Sequence, residues 1–279
     1  MGVVIGPDAN VLRQVRRPTP RDPDGLVRTL LDIAAELEPW DTIGIGAAGL
    51  IDLDGVLRFA PNVGQIEQLP LGALMSKALG RFVPTDNDGT VAALAEWRRG
   101  VGVGVDDLVL VAVGTGIGCG FVSGGALQRG SGGLAGEPGH MIVDPSGPVC
   151  VCGQRGCWER FASGSGLSYL SGGERGEDLT AAARRGDVTA IAVFDRFAWW
   201  LALGIVNLVN ILDPGLVVIG GGLVEAHDLY LAETHRYVHE MRYANSSRPP
   251  LRIEAAHFGE RAGAIGAALL GMERREPLA

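Results

Sequence analysis

The run E-P-G-H-M-I-V-D-P-S-G-P-V-C-V-C-G-Q-R-G-C-W-E, from Glu137 to Glu159, decides how the rest of the chain is read. It gathers one imidazole, His140, and three thiols, Cys150, Cys152 and Cys157. The C-x-C and C-x4-C spacings, with Gly153 and Gly156 between them, let a tight loop turn the three sulfurs towards one point. Soft thiolates and one imidazole suit tetrahedral zinc in a closed, structural site. A disulfide is the competing use of these cysteines. An acidic chain with four cysteines and no secretory signal, however, points to a reducing compartment. Cys119 is a rival fourth ligand, but it lies far upstream in an apolar, glycine-rich strand and reads as a small buried thiol. Glu137 and Glu159 bracket the ligands and are expected to face whatever the folded loop presents.

The chain has 279 residues, 47% of them hydrophobic, which is enough for two modest domains, each with its own core. A formal charge of −8 repels phosphate backbones, so no direct nucleic-acid partner is expected. The N-terminus shows no basic-then-apolar signal region. The longest apolar run, Ile191 to Leu212, is interrupted by Asp195, Arg196, Asn207 and Asn210. It reads as a buried core helix, not a membrane span, and the expected location is the cytoplasm. The 43 glycines cluster in short loops, as ligand-cradling turns would.

Two short apolar runs, 1–5 and 11–15, flank Gly6-Pro7-Asp8-Ala9-Asn10 and predict a hairpin. Helical spacing predicts a helix over 23–37, begun by Asp22 or Asp24. A strand over 42–47, a helix over 71–79, a strand over 82–85 and a helix over 88–99 follow. A second unit opens at 108–113, a buried strand, and passes through a glycine turn over 114–120 to a returning strand at 121–123. After the cysteine loop come helices near 178–185 and 188–212, a strand over 216–219 ending in Gly220-Gly221-Gly222, and a helix to about Tyr243. A strand over 251–256 and a helix over 261–272 close the chain. Strands alternating with helices predict an α/β fold with a largely parallel sheet. No linker separates the units, and the boundary falls softly near residue 105.

Asp86-Asn87-Asp88-Gly89 lies where a strand ends and a helix begins, so its plainest role is to cap that helix. Carboxyl ends of strands are also where open α/β sheets place ligands. The turn V-G-T-G-I-G can bring backbone N–H groups close to phosphate oxygens, although many β-turns look alike.

The stretch at 137–159 closely resembles the signature of the ROK family of sugar kinases and sugar-responsive repressors, E-x-G-H followed by C-x-C-G-x-x-G-C-x-E. Every fixed position is filled. Within the family, R-G-C-W-E and A-S-G in Arg155 to Gly164 are most similar to the actinobacterial glucokinases. The resemblance implies two ribonuclease-H-like lobes of the actin-like ATPase and sugar kinase type, with a cleft between them. Residues 1–105 with about 262–279 would form a small α/β lobe, and 106–261 a large α/β lobe carrying the zinc loop. It implies ATP-dependent phosphorylation of a hexose, with glucose as the leading substrate and ATP with Mg2+ as the phosphoryl donor. Asp88 would be the general base, taking the proton of a sugar hydroxyl as its oxygen attacks the γ-phosphate in line. Gly49, Asn62, Asn87, Asp88, Glu137, His140 and Glu159 would hold the sugar. Gly114, Thr115, Gly116, Gly118, Gly221 and Gly222 would contact the nucleotide. Zinc on His140, Cys150, Cys152 and Cys157 would be architectural, with no open position for water. Through its other nitrogen His140 would donate to a sugar hydroxyl. The family also implies a homo-oligomer, a dimer or tetramer.

Two departures stand out. Ala48 replaces a usual proline. The family's opening D-x-G-G-T-K strand has no counterpart, because M-G-V-V-I-G-P-D-A-N-V-L matches the segment that follows it. The expectation is a start set too late, or a truncated sequence, with two strand edges left open inside the lobe. The alternatives are a catalytically silent sugar-binding regulator of the same family and a kinase for an N-acetylated hexosamine. Asp88 and the intact V-G-T-G-I-G turn favour phosphoryl transfer.

Overall fold

In the computed structural model, which describes residues 1–61, 63–64 and 66–274, the N-terminal hairpin pairs β1 (Gly2–Ile5) with β2 (Val11–Val15) in antiparallel fashion. Helix α1 (Pro23–Glu36) starts where Asp22 accepts the Gly25 N–H at 2.7 Å and Pro23 occupies the first turn. Strand β3 (Ile45–Ala47) is followed by a three-stranded meander that the sequence did not announce: β4 (Leu50–Ile51), β5 (Leu57–Ala60) and β6 (Ile66–Leu69). Helix α2 (Leu71–Leu79) ends at left-handed Gly80. Strand β7 (Thr85–Asn87) runs parallel to β3, with Ile45 opposite Thr85, and feeds straight into α3 (Asp88–Arg99). This strand was expected over 82–85. It begins three residues later because Pro84 has no N–H to give the ladder, and only its carbonyl takes part, accepting from Ile45. Among the described residues β1 pairs only with β2, and β3 only with β7, so the two pairs form separate sheets.

The second half is built on one five-stranded sheet. Its strands are β8 (Leu108–Val113), β9 (Ile117–Ser123), β10 (Ala126–Leu127), β11 (Leu216–Gly220) and β12 (Arg252–Ala255), in the order β10-β9-β8-β11-β12. Strands β8, β11 and β12 are parallel to one another, while β9 and β10 run antiparallel. Strand β9 begins four residues earlier than expected, so the glycine turn shrinks to Gly114-Thr115-Gly116, and Gly118 and Gly120 are strand residues. The physical reason is packing. A Cβ on Gly120 would stand 2.5 Å from the Gly89 carbonyl, and one on Gly89 would stand 2.6 Å from the Cys119 carbonyl. The first turn of α3 therefore lies directly on the β9 backbone.

Both faces of this sheet are apolar, as parallel sheets require. Val109, Val111, Val113, Val217 and Ile219 pack on one face against α6 (Val188–Leu212), in a core that also takes in parts of α4 (Gly164–Ser171), α5 (Gly176–Arg184) and α7 (Leu231–Met241). Leu108, Leu110, Leu216 and Val218 pack on the other face against α3 and α8 (Ala262–Glu273). Helix α6 is long and apolar enough by composition to cross a membrane. Its Phe194, Phe197, Leu201, Ile205 and Val209 are buried against the sheet, which makes it the core helix the interrupted pattern implied. The helix expected after Gly222 is broken. A 3-10 segment, Gly222–Leu229, loses helical geometry at Ala226 before α7 begins. Helix α8 packs on α3, β1 and β3, so α3 and α8 form a middle layer between the large sheet and the N-terminal strands.

Candidate active site

The base candidate sits where β7 becomes α3. Asn87 caps the helix, its side-chain oxygen accepting the N–H of Gly89 at 2.8 Å and of Thr90 at 3.1 Å. Its amide nitrogen donates to the Gly49 carbonyl at 3.0 Å, so one amide hydrogen is left for a ligand. Gly49 itself needs its positive φ of 118°, since a Cβ there would strike the Phe59 carbonyl at 2.4 Å. Asp88 Oδ1 accepts the Gly89 N–H at 2.9 Å, which leaves Oδ2 free. Asp88 is an exposed residue, yet its carboxyl has protein atoms close around it. That burial pushes its carboxyl above the ordinary range, against the opposing pull of the Gly89 N–H. Asn62 lies outside the described residues.

Across the cleft, Pro138–His140 form one 3-10 turn. Its Gly139 is pressed against the start of β9, where a Cβ would stand 2.4 Å from the Ile117 carbonyl. Burial raises the Glu137 carboxyl; His140 opposes the rise, and the charges of Asp88 and Glu159 add to it. Gly89 and Gly136 both press on the Cys119 carbonyl, where a Cβ would stand 2.6 Å and 2.9 Å away, and His140 lies 3.9 Å from Glu137 and from Glu159, so the four residues gather although β8, β9 and β10 separate Asp88 from the rest in sequence.

The cysteine loop folds as the spacing implied. His140 and the three cysteines place their ligand atoms within 4.8 Å of one another. Cys150 Sγ lies 3.7 Å from His140 Nδ1, and Cys152 Sγ lies 3.6 Å from Cys157 Sγ. Tetrahedral zinc with bonds of about 2.3 Å to sulfur and about 2.0 Å to nitrogen would separate its ligands by roughly these distances. All four cysteines are free thiols, and Cys119 is buried away from the group, held up by burial and the Glu137 charge. Burial also raises the Cys150 and Cys157 thiols, so a cation is what would draw off their protons. Nδ1 of His140 faces the sulfurs, while Nε2 points to Glu137 Oε2 at 3.9 Å, too far for a direct hydrogen bond. Trp158 anchors the loop, with its indole N–H donating to the Trp200 carbonyl at 2.8 Å and its ring seated in the notch left by Gly204 of α6.

Glu159 joins this loop to the glycine turn. It is buried, accepts from the Cys150 thiol at 3.0 Å through Oε1 and from the Ile117 N–H at 3.4 Å through Oε2. The turn's other side is held by α4, whose first N–H, from Gly164, donates to the Gly114 carbonyl at 2.7 Å. Gly221, with a φ of 80°, packs on the carboxyl end of β8, where a Cβ would meet the Val113 carbonyl at 2.4 Å. The two glycine turns thus meet at the carboxyl ends of parallel β8 and β11, the position where such sheets bind ligands. Beside Gly222 a cavity of about 650 Å3 opens between α5 and the 3-10 segment, lined by Arg175, Thr180, Arg184, Leu223 and Ala226. Arg184 fixes this wall by pairing with Asp228 at 2.7 Å. No local motif marks Arg175, Thr180 and Arg184 as neighbours of Gly222, because this wall is assembled from a helix and a distant turn.

Known proteins are similar to this chain in sequence and in fold. The chain is 31% identical over 296 residues to a glucokinase of Streptomyces coelicolor, an alignment covering 97% of this chain and 93% of that one. It is 35% identical over 277 residues to an N-acetylmannosamine kinase of Escherichia fergusonii, covering 96% and 92%. Its structure is similar to that of a ROK family glucokinase from Streptomyces griseus in complex with glucose and AMPPNP, with a TM-score of 0.90, 31% identity, and coverage of 98% of this chain and 95% of that one. The fold is accordingly the two-lobed α/β fold of the actin-like ATPases and sugar kinases. The ROK family model matches residues 1–274, which takes in the paired glycine turns, the capped aspartate and the cysteine loop alike: the chain belongs to the ROK family.

Proposed function

We propose that the chain transfers the γ-phosphoryl group of ATP to a hexose, with glucose as the leading substrate. The observation that carries this reading is that the start of α3, bearing Asp88, and the segment bearing Glu137 pack on the same Cys119 carbonyl, with His140 3.9 Å from both Glu137 and Glu159. A sugar held there is bounded by two carboxylates that accept from hydroxyls, by an imidazole whose Nε2 is turned away from the thiols, and by the remaining amide hydrogen of Asn87. Gly49 and Asn62 belong to the same sugar-binding set. Asp88 Oδ2 takes the proton of the reacting hydroxyl as the O–P bond forms, and the bond to the departing ADP breaks on the opposite side. The raised carboxyl of Asp88 is suited to accepting that proton. N–H groups of the Gly114-Thr115-Gly116 turn, of Gly118 at the start of β9 and of Gly221 and Gly222 approach the phosphates, and the cavity beside Gly222 has room for the base.

Zinc is the metal that fits His140, Cys150, Cys152 and Cys157, in a closed structural role. Mg2+ accompanies ATP, as phosphoryl transfer requires to offset phosphate charge. Residues 1–105 with 262–279 act as the small lobe and 106–261 as the large one. A homo-oligomer fits the exposed apolar Ile142, Val149 and Val151 on the cysteine loop. Reduced thiols fit a cytoplasmic location.

Coupled ADP-release assays with glucose, N-acetylmannosamine and other hexoses test the reading on the wild type and on Asp88→Asn. Turnover with glucose, lost in the variant, supports it. A preference for the acetamido sugar supports the hexosamine reading, which the resemblance to an N-acetylmannosamine kinase favours. Sugar binding without ADP release leaves a silent regulator.

A further inference from the structure

The loop between β10 and Glu137 crosses to the opposite side of the cleft. Arg129, early in that loop, donates through Nε to Asp86 Oδ2 at 2.7 Å. The pair is sheltered, with 19% of the arginine and 5% of the aspartate side chain exposed. The other oxygen of Asp86 accepts the N–H of Asn87 at 2.9 Å, and Asn87 caps α3, on which Asp88 is the first residue. The loop touches the N-terminal half a second time at Gly133, where a Cβ would stand 2.6 Å from the Leu53 nitrogen. It closes on itself through the Ala135 N–H to the Arg129 carbonyl at 3.0 Å. Burial lowers the guanidinium pKa of a second cation, Arg274; the Arg129 charge lowers it further and Asp86 opposes the fall, while it is Arg129 that pairs directly with Asp86.

We propose that Arg129 is a positioning residue of the reaction: through Asp86 it fixes the cap of α3, and with it the Asp88 carboxylate, against the sugar-binding side of the cleft. This rests on the kinase reading above. A planar guanidinium at 2.7 Å sets direction as well as distance, which a lysine ammonium does not. The groups that hold sugar and nucleotide are anchored elsewhere, by Gly139 on β9 and by the glycine turns. Loss of the pair therefore moves the base together with Asn87 on the same cap, and leaves Glu137, His140, Glu159 and the nucleotide-side turns in place. A shift of about 1 Å in a reacting group is enough to lower a rate ~100-fold.

The test is steady-state kinetics of the wild type, Arg129→Lys, Arg129→Met, Arg129→Ala, Asp86→Asn and the double variant Arg129→Met/Asp86→Asn, with Tm measured for each. The expected result for Arg129→Met is a kcat lowered ~10- to 100-fold, with both KM values within about threefold. Arg129→Lys falls between it and the wild type. The double variant is no slower than Arg129→Met, because one buried charge is no longer left alone. Millimolar guanidinium restores part of the rate of Arg129→Ala, which a loss confined to folding would not allow. If Arg129→Met fails to fold, Arg129→Lys with an unchanged Tm carries the same comparison. A full kcat in either variant, or losses that multiply in the double variant, overturns the proposal while leaving the kinase reading intact. A wild type with no turnover on any hexose removes both.

Discussion

Gly116→Ala changes a residue of the nucleotide-side turn, yet its main effect should appear on the sugar. A Cβ at position 116 would stand 2.4 Å from Glu159 Oε2, closer than side chains approach. The carboxylate has little room to swing aside, because it is buried and accepts the Ile117 N–H. The substitution therefore forces Glu159 off the Ile117 N–H and out of its place beside the sugar. A hydrogen bond to a charged group is worth ~1.5–3 kcal/mol, and at ~1.4 kcal/mol per decade this means a rise of ~10- to 100-fold in sugar KM. Gly114→Ala is the control, since a Cβ at 114 meets nothing within 4 Å. Sugar KM is measured at saturating ATP, and ATP KM at saturating sugar, for both variants. Equal sugar KM values in the two alanine variants would refute the claim that Glu159 links turn and sugar pocket.

Three further outcomes follow from the site. Because burial raises Asp88 above its unfolded value, the stabilisation tied to its protonated form is complete below that unfolded value and lost as pH rises through the folded one. Asp88→Asn should therefore unfold at a higher temperature than the wild type near neutral pH, with the gain vanishing below about pH 4, while the acid limb of wild-type kcat/KM lies above the ordinary carboxylate range. Zinc analysis should find one ion per chain, lost in Cys152→Ser and kept in Cys119→Ala, and chelation should lower the Tm of the wild type towards that of Cys152→Ser. Gly204→Ala would place a Cβ 1.9 Å from the Trp158 ring, so overpacking of at least ~1–3 kcal/mol should appear as a lowered Tm together with weaker retention of the metal.

Much of this was readable in advance where one local signal settles the structure. The bounds of α3 fall at Asp88 and Arg99 because Asn87 offers a cap and Gly100 ends the run. The donor set was readable because its four members lie in one short segment. The meander over β4, β5 and β6 was not, because its strands are two to four residues long and carry little alternation. Helix α4 was missed because G-S-G-L-S-Y-L-S has weak intrinsic preference; it is fixed by the Ser163 cap and by Gly114. Strand β7 was misplaced because Thr85, Asp86 and Asn87 are polar yet buried, and Asp86 and Asn87 are satisfied by Arg129 and Gly49, far away in sequence. The pairing of Arg129 with Asp86 joins residues 43 positions apart and has no sequence signature at all.

The donors from His140 to Cys157 close a small ring of chain, for which the entropy of closure is slight. Zinc capture by these residues would thus not wait for the parallel sheet and could begin on the nascent polypeptide, with packing of Trp158 against α6 tightening the site afterwards. Chelator present during refolding should then depress the yield of native protein more than the same chelator added afterwards, which makes the order of assembly, and not only the finished architecture, part of what these residues encode.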